Sequence, residues 1–253
     1  EVDEEKVRER KTTDKEVSGD GDGSKEKRNK SLSAKKTIVN LEPNLSLPNE
    51  LTEIFIQVLS LQKPLMVIYL IKKLGYRRML CFVKSKENAK RLTKLLELSG
   101  IVSVEYSASQ HAAKRKQIQT RFENDELDVL VCSDVMARGM DLANVDYVLL
   151  YDSPHHLSSY VHKVGRTARA GKSGTAITFL EHKEIFHFKK MMNNLISSES
   201  KLSQTDSASS TQQQSNNRKV REIKIQKSKL KPLVEDYEIS LSKLKELIKS
   251  KSI

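Results

Sequence analysis

The chain has 253 residues, 45 Lys+Arg against 33 Asp+Glu, and a formal net charge of +12. Hydrophobic residues make up 37%, aromatic residues 5%, and the mean hydropathy is -0.54. That is too polar for one uniformly packed unit. The two cysteines, Cys81 and Cys132, exclude a disulfide scaffold or a Cys-based zinc module and fit a reducing compartment.

Residues 1–36 carry 11 Lys/Arg and 10 Asp/Glu with almost no large apolar side chains, and read as disordered. The N-terminal EVDEEKVRER has no apolar stretch suited to a signal peptide, and the missing first Met is what a fragment shows. Residues 37–195 hold 22 basic and 16 acidic residues and nearly all the strong apolar runs, which predicts one domain. Its first strand is 78–83, followed by a helix over 85–99 stopped at Gly100. Then come a strand at 102–106, a helix at 112–122, and strands at 128–132 and 147–151. A helix from 158 to 164 follows, with Ser158 or Ser159 as its cap, then a strand at 176–180 and a closing helix at 183–194. Continuous apolar strands separated by helices predict an α/β fold, a parallel sheet with helices on both faces. Residues 196–217 are Ser/Gln-rich and read as a linker. Residues 218–253 form a basic tail, in which Ile239, Leu241, Leu244, Leu247 and Ile248 predict a short amphipathic helix. The run at 218–231 suits either solvated coil or a salt-sensitive RNA-gripping tail, and the latter is favoured. No segment reaches the roughly 18 apolar residues of a membrane span.

Ligands of parallel sheets sit beyond the C-terminal strand ends, and the informative residues are expected there. Ser133–Asp141 (SDVMARGMD) follows one strand directly, and Tyr160–Gly171 (YVHKVGRTARAG) follows the next strand and its helix. Arg166 and Arg169, three apart and expected on one helical face, suit a multiply charged phosphate, because a guanidinium fork gives bidentate contacts that Lys cannot copy. Taken alone, a solvated arginine pair is the better explanation. Two such loops in one sheet shift the balance. The adjacent His155 and His156 lack converging Cys or acidic partners and are not read as a metal site. His182 and His187 read as surface or packing residues, and the cysteines as small buried hydrophobes.

These motifs resemble those of the C-terminal RecA-like domain of DEAD-box RNA helicases, over about residues 37–195. SDVMARGMD resembles the family's motif V, HKVGRTARAG its motif VI, and LCFVKSKENAKRL its motif IV. RGMD with its Met, KPLMVIYLIKKLG and the terminal SLSKLKELI are most similar to the subfamily that assists large ribosomal subunit assembly in the nucleolus.

The resemblance implies ATP with Mg²⁺ as cofactor, the metal ligands lying in an N-terminal RecA-like domain that this chain lacks. Arg166 and Arg169 would be arginine fingers reaching the γ-phosphate, and Asp141 would accept a hydrogen bond from the ribose. His162 would couple the nucleotide and RNA sites. Arg115, Ser133, Gly139, Phe82 and Ser85 would form the RNA site, while Asp134 would order its loop or pair with an arginine. Two positions depart from the family pattern: Ala112 stands where Gln is usual, and Lys163 where Arg is common. Neither a GxxxxGK[ST] loop nor an Asp-Glu-Ala-Asp string occurs in the sequence, so the chain alone is expected not to hydrolyse ATP. The implied partners are RNA, in particular pre-ribosomal RNA, the missing domain and ribosome-assembly proteins, with no membrane, in the nucleus and nucleolus. The alternatives are a catalytically inactive RNA-binding module from a truncated helicase gene and, less favoured, a DNA-translocating helicase.

Overall fold

A computed structural model describes residues 47–133, 142–202 and 220–250. Seven strands form one sheet: β1 (Leu51–Gln57), β2 (Met79–Val83), β3 (Ser103–Tyr106), β4 (Val129–Ser133), β5 (Tyr147–Leu150), β6 (Gly174–Leu180) and β7 (Arg221–Glu222). Their order is β3-β4-β2-β5-β6-β1-β7, and every pairing is parallel. Six helices connect or cover them: α1 (Lys63–Leu74), α2 (Lys86–Leu98), α3 (Ala112–Glu123), α4 (Leu157–Val164), α5 (His182–Leu202) and α6 (Lys227–Lys249).

The strands read as continuous apolar runs because both faces are covered. Alternation along β2 shows this: Met79, Cys81 and Val83 enter the core under α1, α2 and α6, while Leu80 and Phe82 enter the core under α3, α4 and α5. Cys81 and Cys132 are fully buried and belong to opposite cores. Burial pushes the Cys81 thiol well above its usual range, so it stays protonated.

Local signals set the helix ends. Gly75, left-handed at φ 71, closes α1 by donating its N–H to Ile71 O, while Tyr76 N–H reaches Leu70 O. Ser85 caps α2 by accepting from Asn88 N–H at 3.1 Å. The cap expected at Ser158 or Ser159 is instead at His156, with both serines inside the first turn of α4.

Several elements exceed the expectation, among them α1, since no element was expected before residue 78. β1 pairs with β6 along all seven residues, although Glu53 interrupts its apolar run; that carboxylate is buried and accepts from the Tyr160 hydroxyl. α5 continues to Leu202, past the expected domain end at residue 195. The basic tail is a built part of the fold. β7 extends the sheet beside β1, and α6 starts at Lys227, twelve residues before Ile239, and packs on α1 and α2. Its Leu230 and Leu233 are buried in the core. Among the described residues no helix is long and apolar enough to cross a membrane.

Candidate nucleotide and RNA site

The informative side chains divide between the two edges of the sheet, which corrects the expectation of a single C-terminal-edge site. A helix joining neighbouring parallel strands must run back across the sheet, so the segment after α4 emerges at the N-terminal edge. Thr167 there donates its hydroxyl to Val145 O at 2.6 Å, just before β5, and Gly174 opens β6. Arg166 and Arg169 flank Thr167. They lie in the turn beyond α4, not on a helical face as expected. Each is tied to the backbone four residues earlier: Arg166 Nε donates to His162 O at 3.2 Å, and Arg169 Nε to Gly165 O at 2.8 Å. Tethering at Nε restrains the plane of each guanidinium group.

This turn borders a cavity of about 250 Å³ whose wall includes residues 142–146 and 166–170, with Glu123, Lys172 and Ser173. Lys172 Nζ donates to Asn144 Oδ1 at 2.9 Å across its mouth. Two guanidinium groups and an ammonium on one rim suit a phosphate chain. His162, one turn before Arg166 on α4, is exposed. Asp141, Gly139 and Asp134 lie outside the described residues.

The C-terminal edge holds the other set. Ser133 ends β4; its Oγ is buried and has no hydrogen-bond partner among the described residues. Ser85 opens α2, with the Glu87 carboxyl held below its usual range by its own backbone N–H and by the Ser85 hydroxyl. Lys84 N–H, just after β2, donates to Asp152 Oδ2 at 2.8 Å, so the loops after β2 and β5 are joined. Asp152 also faces the buried Lys63 ammonium at 3.7 Å, which lies over the Tyr151 ring. Arg115, on α3, donates Nη1 to Gln110 O at 2.6 Å and Ala108 O at 3.3 Å, and so braces the loop after β3.

Phe82 does not belong to this surface. Its ring is 1% exposed, inside the core, with Lys163 Nζ 5.8 Å from its centroid. It supports the loop from below and offers no face to a ligand. His155, His156, His182 and His187 are exposed, and among the described residues no group of three or more His, Cys, Asp or Glu could hold a metal ion.

Arg78, Asp146 and Lys63, which the fold pairs as Arg78–Asp146 and Lys63–Asp152, escaped the sequence reading. Arg78 and Asp146 stand just before β2 and β5, Lys63 opens α1, and no motif links any of them to its partner.

Comparison with known proteins defines the class. Residues 62–171 match the helicase conserved C-terminal domain. The ATP-dependent RNA helicase dbp6 of Schizosaccharomyces pombe is 42% identical over 156 residues, 59% of this chain and 26% of that protein. Human ATP-dependent RNA helicase DDX51 is 34% identical over 203 residues, 80% of this chain and 28% of that protein. The solved structure of the C-terminal domain of the DEAD-box protein Dbp5 superposes with a TM-score of 0.58 at 19% identity, covering 74% of this chain and 98% of that one. That last likeness is one of fold. The chain carries a helicase C-terminal domain with the RecA-like fold and is similar to the corresponding part of DEAD-box RNA helicases. It spans about a quarter of the length of these two curated relatives.

Proposed function

We propose that this chain is the C-terminal half of an ATP-dependent RNA helicase that couples ATP hydrolysis to unwinding or remodelling of RNA, in rRNA processing and large ribosomal subunit assembly in the nucleolus. The observation that carries the reading is the arginine turn: Arg166 and Arg169, both oriented through Nε, stand on the rim of a phosphate-sized cavity. In this role they stabilise the charge that develops on the γ-phosphate, an effect typically worth several kcal/mol. Asp141 and His162 take the ribose and coupling roles that the family resemblance implies. Arg115, Ser85, Ser133 and Gly139 serve the sugar-phosphate backbone of RNA, so little base specificity is expected. Phe82 drops out of that set because it is buried. Mg²⁺ is assigned to the ATP phosphates and to carboxylates of an N-terminal RecA-like domain. The ribosomal and nucleolar assignment rests on the subfamily resemblance.

The net charge of +12 suits a second reading, an RNA-binding module without ATPase activity. One experiment separates them. In a complete protein with both helicase domains, Arg166→Ala and Arg169→Ala are each expected to lower kcat by about a thousandfold while RNA affinity stays within about twofold. Unchanged turnover refutes the finger assignment. RNA binding with no turnover in the unsubstituted complete protein favours the binding module.

A further inference from the structure

We propose that Thr167, braced by the Arg78–Asp146 pair, is the positioning residue that holds both arginines of the turn at the cavity rim. The inference rests on the reading of that turn as the phosphate-facing one. Neither Arg78 nor Asp146 belongs to any motif of the sequence.

Thr167 is 1% exposed and sits between Arg166 and Arg169 in the chain. Its single hydroxyl proton is shared between Val145 O at 2.6 Å and Asp146 O at 3.1 Å. This is the side-chain bond that pins the turn to the sheet edge. The neighbouring backbone leaves no slack: a Cβ added at Gly174 would lie 2.1 Å from Thr167 Oγ1 and 2.5 Å from Ala168 N. The first residue of β6 is therefore glycine because the turn lies directly on it.

Asp146 is the second half of the latch. Its carbonyl accepts from Thr167 Oγ1 and from Thr175 N–H at 2.9 Å. Its carboxylate is gripped by Arg78 through Nε at 2.9 Å and Nη2 at 2.5 Å. Arg78 holds this grip from a left-handed backbone at φ 47. Asn144, Ala168 and Ala170 are also left-handed, at φ 61, 56 and 52. Non-glycine residues persist in that region only where their surroundings over-determine them. Here four of them gather around the turn that carries the two arginines. Because each arginine is tethered to a carbonyl of the same turn or of the end of α4, fixing Thr167 fixes both forks.

The test uses the 253-residue chain, labelled with ¹⁵N, and reads hydrogen exchange of the Arg166 and Arg169 Nε–H groups. Thr167→Val replaces the hydroxyl with a methyl group and so removes the donor. It is expected to speed both exchanges about tenfold, the equivalent of one buried hydrogen bond. Thr167→Ser is expected to restore protection to within about twofold, which a role in shape alone would not predict. Equal protection in Thr167→Val and the parent, or failure of Thr167→Ser to rescue, overturns the proposal. If Thr167→Val does not melt cooperatively, Asp146→Asn decides instead. That side chain is 41% exposed, so the substitution is tolerated while the grip of Arg78 loosens. It is expected to speed exchange about threefold, and no change overturns the brace.

In the complete protein, Thr167→Val is expected to lower kcat about tenfold with the KM for ATP and the RNA affinity held. Unchanged kcat, with Arg169→Ala strongly impaired, also overturns the positioning role. Faster Nε–H exchange together with unimpaired Arg166→Ala and Arg169→Ala leaves the latch standing and removes the finger reading.

Discussion

At the scale of single residues, burial sets the titration behaviour more than ion pairing does. Tyr106, Tyr147, Tyr151 and Tyr237 all have phenols raised above their usual range, in each case chiefly by burial. Tyr151 is the most affected, with the buried Cys81 and the Asp152 carboxylate adding to the shift. A raised phenol stays protonated in the folded state at a pH where the unfolded chain has ionised. The unfolded state then binds fewer protons, and stability falls as pH climbs above about 10. Tyr151→Phe keeps the ring that packs beside Phe179 and under Lys63. It is expected to flatten the alkaline loss of stability, read as urea midpoints between pH 8 and 11. An unaltered slope would contradict burial of the Tyr151 hydroxyl as its cause. Arg115 gives a second prediction. It braces the loop after β3 at the edge proposed to face RNA, so Arg115→Ala should weaken RNA binding and lower its salt slope by about one unit. Weaker binding at an unchanged slope would leave Arg115 with the brace alone.

At the scale of elements, the C-terminal helix separates what could be read in the sequence from what could not. The sheet was legible where a strand is a short apolar run and the helix after it has a cap or a glycine stop; Ser85 and Gly100 on either side of α2 are the clearest case. β1 was missed because Glu53 breaks its pattern, and only Tyr160, 107 residues away, explains that carboxylate. The front half of α6 was missed for a related reason. Lys227, Lys229 and Lys231 oppose the helix dipole, Pro232 lies inside the helix, and Gln226 supplies no side-chain cap. Local preference there favours coil. The helix forms because Leu230 and Leu233 are buried against the core and Ser240 Oγ donates to Leu98 O at 3.2 Å. Tertiary burial overrides propensity. Leu233→Ala should therefore cost about 2–4 kcal/mol of global stability, the range of a buried leucine truncation, measured by urea unfolding. A loss under about 0.5 kcal/mol, the size of an ordinary surface change, would mean that α6 is not part of the cooperative unit. The arginine turn shows the same limit at a site: its residues were legible, but its place at the opposite edge follows from helix direction, which no motif encodes.

At the scale of the whole molecule, the two candidate sites are separated by the sheet itself. β5 alone contributes four residues between the turn pinned at Val145 and the loop that begins at Tyr151. At about 3.3 Å per residue this is more than 13 Å. A phosphate chain at Arg166 and Arg169 therefore cannot touch an RNA strand at Arg115 and Ser133. Communication between them needs an element with two arrangements that both ligands bias. The seven strands are joined in continuous parallel register, both cores are closed, and the turn is latched at Thr167. None of these offers a second arrangement within the described residues. Under the proposed function, the coupling is expected to come from closure against another body. For this chain alone, RNA affinity at fixed salt is expected to change by less than about twofold when a saturating ATP analogue is added, a coupling free energy below roughly 0.4 kcal/mol. The complete protein should show about tenfold or more, because ATP and RNA would there favour one closed state together. Titration of labelled single-stranded RNA, with and without analogue, measures both. A tenfold shift in the isolated chain would place the switch inside this domain, and the latched sheet edge would be the first place to look for it.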